Sequence, residues 1–321
     1  MTDTKPQHPR DPEAGQPIED DLDITPARAG GDGQDKARSL GADAWRELRH
    51  NWMFWLAAVL IVLFVVMAAF PGLFTGTDPR ATGQVRETPN ADAWFGRDTQ
   101  GYDIYARTIH GARASILVGI LTTILTTAVG VVTGIAAAYF GGWVDTLVSR
   151  ITDVFFAIPL ILGGIVFMTA FPNDQSTPYL VVVGKVVIAL ALLGWPSVTR
   201  LMRGSVMQVM PNDYIQSARA LGASPFRIIR RHVLPNAIAP VMVVATINLG
   251  VYIVAEASLS FLGIGLTPPA ISWGVAISDS LTTVRSYPHI LFFPAAFLSV
   301  CVFSFILLGD AVRDAFDTKS R

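Results

Sequence analysis

Trp52-Met-Phe-Trp-Leu-Ala-Ala-Val-Leu-Ile-Val-Leu-Phe-Val-Val-Met-Ala-Ala-Phe70 runs for nineteen residues without a charge, an amide or a hydroxyl. A hydrocarbon core of about 30 Å takes about 20 helical residues to cross, so this stretch reads as a membrane span. No charged region leads into it as one leads into a secretory signal, so it is expected to be retained rather than cleaved. Ile116–Phe140, Val154–Phe171, Ile238–Phe261 and Ile290–Leu308 read the same way. A sixth stretch, Tyr179–Trp195, is shorter and carries Lys185, yet is otherwise almost all Val, Leu, Ile and Ala. The whole chain of 321 residues is 51% hydrophobic and only 15% charged, against about 25% charged in soluble domains. A net charge of −1 excludes a basic nucleic-acid binder. A single cysteine, Cys301, excludes a disulfide framework and a Cys-based zinc site. The expected fold is all-α: a polytopic membrane protein of six transmembrane helices.

Six spans put both ends of the helical region on one side. That side, counting Gln34–Asn51, Arg150, the long loop 196–236 and the C-terminal Arg313, Lys319 and Arg321, carries fourteen Lys and Arg. The opposite loops carry six, Arg80, Arg86, Arg97, Arg107, Arg113 and Arg285, among acids. The positive-inside rule therefore predicts cytoplasmic N- and C-termini in a multi-pass membrane protein. Residues 1–44 hold ten acids and five bases among Pro and Gly, and read as a disordered acidic cytoplasmic tail. Residues 45–321 then form one membrane domain with long external loops at 71–113 and 263–289. No repeat relates the first three spans to the last three.

Catalytic equipment is missing. There is no G-x-x-x-x-G-K-[ST] loop to cradle ATP phosphates, and Gly263-Ile264-Gly265 runs into Leu-Thr-Pro-Pro, wrong for a dinucleotide fingerprint. The five histidines are scattered without ligand spacing, and no span holds a carboxylate pair within a helical turn. The chain is expected not to be an enzyme and to bind no metal.

The informative polar segment is Met210-Pro-Asn-Asp-Tyr-Ile-Gln-Ser-Ala-Arg-Ala-Leu-Gly-Ala-Ser-Pro-Phe-Arg-Ile-Ile-Arg-Arg-His-Val-Leu-Pro235. Asn212 or Asp213 can cap a helix running to Leu221, and Gly222 stands where a left-handed residue ends it. Ser224 followed by Pro225 opens a second helix. Ile215, Ala218 and Leu221 are expected on one side of the first helix, with Phe226 and Ile229 on one side of the second. A nine-residue helix is about 13 Å long, a length that fits a groove on another protein. An ordinary basic loop at the lipid headgroups is the alternative.

This segment resembles the coupling loop of ABC importer permeases, E-A-A-x-x-x-G-x(9)-I-x-L-P. Gln216, Ser217 and Ala218 stand at E-A-A, Gly222 at the Gly, His232 at the Ile, and Leu234-Pro235 at the end. The acidic position is a glutamine here, so it offers no carboxylate. Two further stretches resemble signatures of the dipeptide/oligopeptide/nickel permeases. Phe95-Gly-Arg-Asp98-Thr-Gln-Gly101-Tyr-Asp103, continuing to Arg107 and Gly111-Ala-Arg113-Ala-Ser115, is similar to F-G-T-D-x-x-G-R-D…S-R…G-x-R-x-S, with Arg97 and Tyr102 departing from it. Glu256-Ala-Ser-Leu-Ser-Phe-Leu-Gly263-Ile-Gly265, then Pro268-Pro269 and Trp273-Gly274, resembles E-A-x-L-S-F-L-G-L-G…P-P…W-G. The ending Leu308-Gly-Asp310-Ala-Val-Arg313-Asp314 resembles L-G-D-x-L-R-D. These motifs point to the C-type subunit of that family and to a type I importer fold.

The resemblance implies a transmembrane subunit of an ATP-driven importer of di- and oligopeptides working by alternating access. It implies a second, homologous permease, two ATP-binding subunits holding ATP and Mg, and an external substrate-binding protein. A nickel or metal-chelate importer and a stand-alone ion-coupled transporter are the alternatives. Tyr214, Ile215, Gln216, Ser217, Ala218, Leu221, Gly222, Leu234 and Pro235 are the expected coupling residues. Glu256 and Lys185 are ionisable groups inside spans and so candidates for function. Either they form a buried ion pair, or Glu256 bonds the adjoining external loop or faces the translocation path. Phe95, Asp98, Asp103, Arg107 and Arg113 are expected to fold the external loop or to touch the binding protein. Trp273, Trp143 and Trp195 are expected to anchor span ends at the interface. Gly130-x-x-x-Gly134 and Gly163-Gly164 are expected to let helices approach closely.

Overall fold

Inside hydrocarbon every backbone N–H and C=O has to be bonded within the protein, and long apolar stretches meet that demand as helices. The computed structural model describes residues 45–174 and 176–316. The acidic segment 1–44 lies outside the described residues. The membrane helices are α1 (Trp52–Ala69), α2 (Ile104–Phe140), the pair α3 (Gly142–Phe156) and α4 (Leu160–Ala170), α5 (Tyr179–Val209), α9 (Ala239–Phe261) and α11 (His289–Phe316). Between α5 and α9 lie the short helices α6 (Asp213–Ala220), α7 (Pro225–Ile228) and α8 (Leu234–Ala237), with a π-turn at Ile229–Val233. A further helix, α10 (Trp273–Ser280), interrupts the loop before α11. Among the described residues, five helices are long and apolar enough to cross a membrane, or six spans if the bent pair α3–α4 counts as one.

Three boundaries differ from the sequence expectation, each for a local reason. The loop after α1 ends at Asp103 rather than at 113, because Asp103 Oδ1 accepts from Ala106 N at 2.9 Å and caps α2 a dozen residues early. The third span is bent by 85° between α3 and α4. Pro159 disfavours helical backbone at Ile158, and the chain turns there. α5 does not stop at Trp195 but continues through Pro196 to Val209. Ser197 and Thr199 hydroxyls donate to the Gly194 and Trp195 carbonyls around the proline, as polar side chains do at prolines in membrane helices. The polar loop therefore begins at Met210, not Pro196.

At 1.5 Å per residue α2 is about 55 Å long and α5 about 46 Å, so both outrun the hydrocarbon core. They pack along a seam with small residues at its closest points. A Cβ added to Gly130 would meet Val198, and one added to Gly134 would meet Met202. Beyond the core, Arg203 pairs with Asp145 and Arg200 with Asp153, tying α5 to α3. Trp195 lies mid-helix against the edge of Phe155, whereas Trp143 is largely exposed. α9 packs between α2 and α11, and α1 covers α2 and α11 from outside.

Candidate functional site

On the arginine-rich face the chain leaving α5 is folded back onto the bundle. Ile215 of α6, Ile228, Val233 and Ala237 are buried against Val198, Met202, Val206 and Val209 of α5. Ala218 lies partly buried beside them. Gln216 Nε2 donates to the Met210 carbonyl at 3.1 Å, tying the helix to its own approach. Gly222 has φ +74, so the chain reverses there through a left-handed residue, and Ser224-Pro225 starts α7. Asn212 occupies the cap position of α6 without a side-chain bond to the helix.

Leu221 departs from the expected shared face. It is 88% exposed and Phe226 is 71% exposed, with Tyr214 also open to solvent. Helix α6 ends at Ala220, which turns Leu221 away from Ile215. The segment thus has a buried side that fixes its position and an outer edge of Tyr214, Leu221 and Phe226. Ser217 and Pro235 are exposed, and Leu234 packs at the margin of the buried cluster.

On the opposite face, Glu256 of α9 is completely buried. Its Oε2 accepts from Ser115 Oγ and its Oε1 from Ser260 Oγ, each at 2.8 Å. Ser260 Oγ in turn accepts from Leu266 N at 2.9 Å. One carboxylate therefore ties α2, α9 and the loop after α9 together. Lys185 does not join it: its Nζ donates to the Pro172 carbonyl at 2.9 Å near solvent, and no ion pair links the two. Ser260, one helical turn beyond Glu256, was a visible partner in the sequence. Ser115 carried no such local signal.

Trp273 is fully buried, not an interfacial anchor. Its Nε1 donates to the Thr108 carbonyl at 2.9 Å, and its ring meets Phe64 edge-on. Gly111 leaves the room for this approach, since a Cβ there would meet Ser272 and the indole. Phe95 stacks on Phe293 with centroids 3.8 Å apart, which clamps the first loop onto α11. Arg107 Nη1 lies 3.3 Å from Asp98 Oδ2 and its Nη2 lies 3.9 Å from Asp279 Oδ2, with Tyr102 under the guanidinium. Asp279 was not among the expected site residues. Burial pushes its carboxyl above the usual range, Arg107 opposes that, and Asp98 adds to it. Arg113 sits apart, exposed on α2 at the edge of an open cavity of about 380 Å³. Among the described residues no group of three or more His, Cys, Asp or Glu could hold a metal.

The long apolar helices make a membrane-embedded bundle, and the loop seated on it presents an apolar outer edge. Residues 130–321 match the family model for the binding-protein-dependent transport system inner membrane component. The chain belongs to that family. Residues 39–91 also match the N-terminal TM domain of oligopeptide transport permease C. The oligopeptide transport system permease protein OppC of Bacillus subtilis (strain 168) is 36% identical over 288 residues, covering 89% of this chain and 92% of the relative. The dipeptide transport system permease protein DppC of the same organism is 36% identical over 287 residues, covering 88% and 87%. The glutathione transport system permease protein GsiD of Escherichia coli O157:H7 is 34% identical over 288 residues, covering 89% and 92%. Among solved structures, the inward-facing MetNI methionine ABC transporter aligns at TM-score 0.52 with 20% identity, over 65% of this chain and 96% of that one. That likeness speaks for the fold, a type I ABC importer permease. The chain is a non-catalytic membrane subunit, and ATP hydrolysis belongs to separate ATPase subunits.

Proposed function

We propose that this chain is one half of the membrane channel of a short-peptide importer, paired with a second, different permease. Two ATP-binding subunits holding ATP and Mg act on the arginine-rich, cytoplasmic face, and a substrate-binding protein delivers cargo to the opposite face. The observation that carries this reading is the two-sided segment 213–228. Ile215 and Ile228 are buried in the bundle while Tyr214, Leu221 and Phe226 stand exposed. An element seated this firmly transmits displacement of a partner cleft to α5 and α9, which is what a two-state lever requires. Tyr214, Leu221 and Phe226 are the contact residues, Ile215 and Ala218 the seat, and Gly222 sets the reversal. The arginine bias of this face supports its cytoplasmic placement. Relatives named for oligopeptides, dipeptides and glutathione support a cargo of short amino-acid chains.

The test is reconstitution of the five chains in liposomes with labelled di- and oligopeptides outside. Uptake should require ATP, the binding protein and both permeases. Uptake by this chain alone without nucleotide would refute the reading, and uptake of a nickel chelate but no peptide would replace the cargo.

A further inference from the structure

The cavity beside Arg113 lies at the outer end of the α2–α5 seam, between the loop at Asp78–Arg80 and the segment after α9. It opens between α2 residues His110 and Arg113, one helical turn apart, and Tyr179 at the start of α5. The Arg113 side chain makes no hydrogen bond or ion pair to any described residue, and the Tyr179 hydroxyl has no hydrogen-bond partner among them. Arg80 likewise contributes only its backbone N–H, to Asp78 Oδ1. His110 Nδ1 faces the Ala106 carbonyl at 2.9 Å. A carbonyl only accepts, so Nδ1 carries the proton and Nε2 is left as an acceptor.

These groups form a pocket with unused donors, Arg113, Arg80 and the Tyr179 hydroxyl, and unused acceptors, His110 Nε2 and the second oxygen of Asp78. A planar guanidinium matches a carboxylate bidentately. Asp78 and Asp174 in the same wall oppose a polyanion, whereas a molecule with one charge of each sign suits both halves. The volume, about 380 Å³, falls in the range of small-molecule sites.

We propose that this cavity is a carboxylate subsite on the outer part of the substrate path, where Arg113 and Tyr179 take the free C-terminal carboxylate of an arriving peptide. The inference rests on the peptide-import reading above. It assigns part of cargo selection to the permease itself, after release from the binding protein.

The experiment uses the complete transporter in liposomes, with a labelled dipeptide and its C-terminal amide, each saturating the binding protein. The wild type should favour the free acid. In R113Q the ratio of free-acid to amide uptake should fall about tenfold, the weight of a lost hydrogen bond to a charged group. R113K, which keeps the charge but not the planar fork, should keep only part of the ratio, which separates lost charge from lost fold, and Y179F should lower it less than R113Q. A wild type that does not discriminate, or an unchanged ratio in R113Q, overturns the subsite while leaving peptide import standing. A tenfold loss in R113Q of affinity for the peptide-free binding protein also overturns it, because Arg113 would then hold a carboxylate of that protein. Uptake of neither peptide by the wild type overturns the peptide-import reading and the subsite with it.

Discussion

Ser115 Oγ donates to Glu256 Oε2 at 2.8 Å although 141 residues separate the two. Both side chains are completely buried. The same carboxylate reaches Ser260, whose oxygen accepts the Leu266 N–H, so the bond network runs from α2 through α9 into the next loop. A buried polar group left without its partner costs about 1–3 kcal/mol. S115A should therefore destabilise the protein by about that amount in a detergent melt. E256Q, which keeps an acceptor for one serine, should fold better than E256A. If E256A melts like the wild type, the network does not hold the loop.

Lys185 and Glu256 lie in antiparallel helices but keep separate partners, Pro172 for one and serines for the other. Groups without a shared partner behave additively within about 0.5 kcal/mol. K185M should cost little, and K185M/E256Q should equal the sum of the single variants in melting and in expression. Recovery of E256Q by K185M would mean that the ion pair forms after all.

How much could be read in the sequence follows from these two cases. Spans were legible because an unbroken apolar run reports its own helix. Their ends were not. Pro196 and the polar residues after Trp195 look like a loop, yet α5 runs on because Val198, Met202 and Val206 pack against Ile135 of α2 and against Ile215 and Ile228 of the segment that follows α5. Asp103 looked like one more loop acid until its bond to Ala106 N made it a cap. Trp273 looked like an interfacial anchor because position along the chain says nothing of depth, and the space opened by Gly111 is a tertiary fact. In the coupling segment the reversal at Gly222 and the start at Ser224-Pro225 were legible, since turn chemistry is local. The outward aim of Leu221 was not, because it depends on the helix ending one residue sooner.

Arg107 lies between two carboxylates, Asp98 and Asp279. Removing it leaves two acids facing each other in a largely buried place, and breaking such a pair costs about 3 kcal/mol. The loss should depend on pH. The Asp279 carboxyl already sits above its ordinary value of 3.8, from burial first, with Arg107 holding it down. A raised folded-state value means that the folded protein binds the proton more tightly than the unfolded chain. That contribution favours folding at acid pH and is lost as pH rises from the unfolded value through the folded one. R107M removes the opposing charge and widens that window upward. R107M should therefore be least stable near pH 8 and regain stability toward pH 5, and R107M/D279N should be restored at pH 8. A deficit of equal size at both pH values would assign the loss to packing over Tyr102 instead.

Leu221 and Phe226 contribute nothing visible to the fold, being exposed by 88% and 71%. Surface substitutions away from special features change stability by no more than about 0.5 kcal/mol. L221E and F226E should therefore insert and melt like the wild type, yet lose binding-protein-stimulated ATPase activity in the assembled transporter. I215E, which puts a charge into the buried seat, should instead fail at folding. Gly222 separates the two effects further. A Cβ there would meet nothing within 4 Å, so space is not the constraint. The φ of +74 is, and Asn tolerates that backbone where a β-branched residue does not. G222N should retain part of the coupling, while G222V, through its backbone, and G222D, through a charge placed on the exposed reversal, should abolish ATPase coupling and uptake with membrane insertion intact. Normal uptake in L221E and G222D would remove the lever from the mechanism.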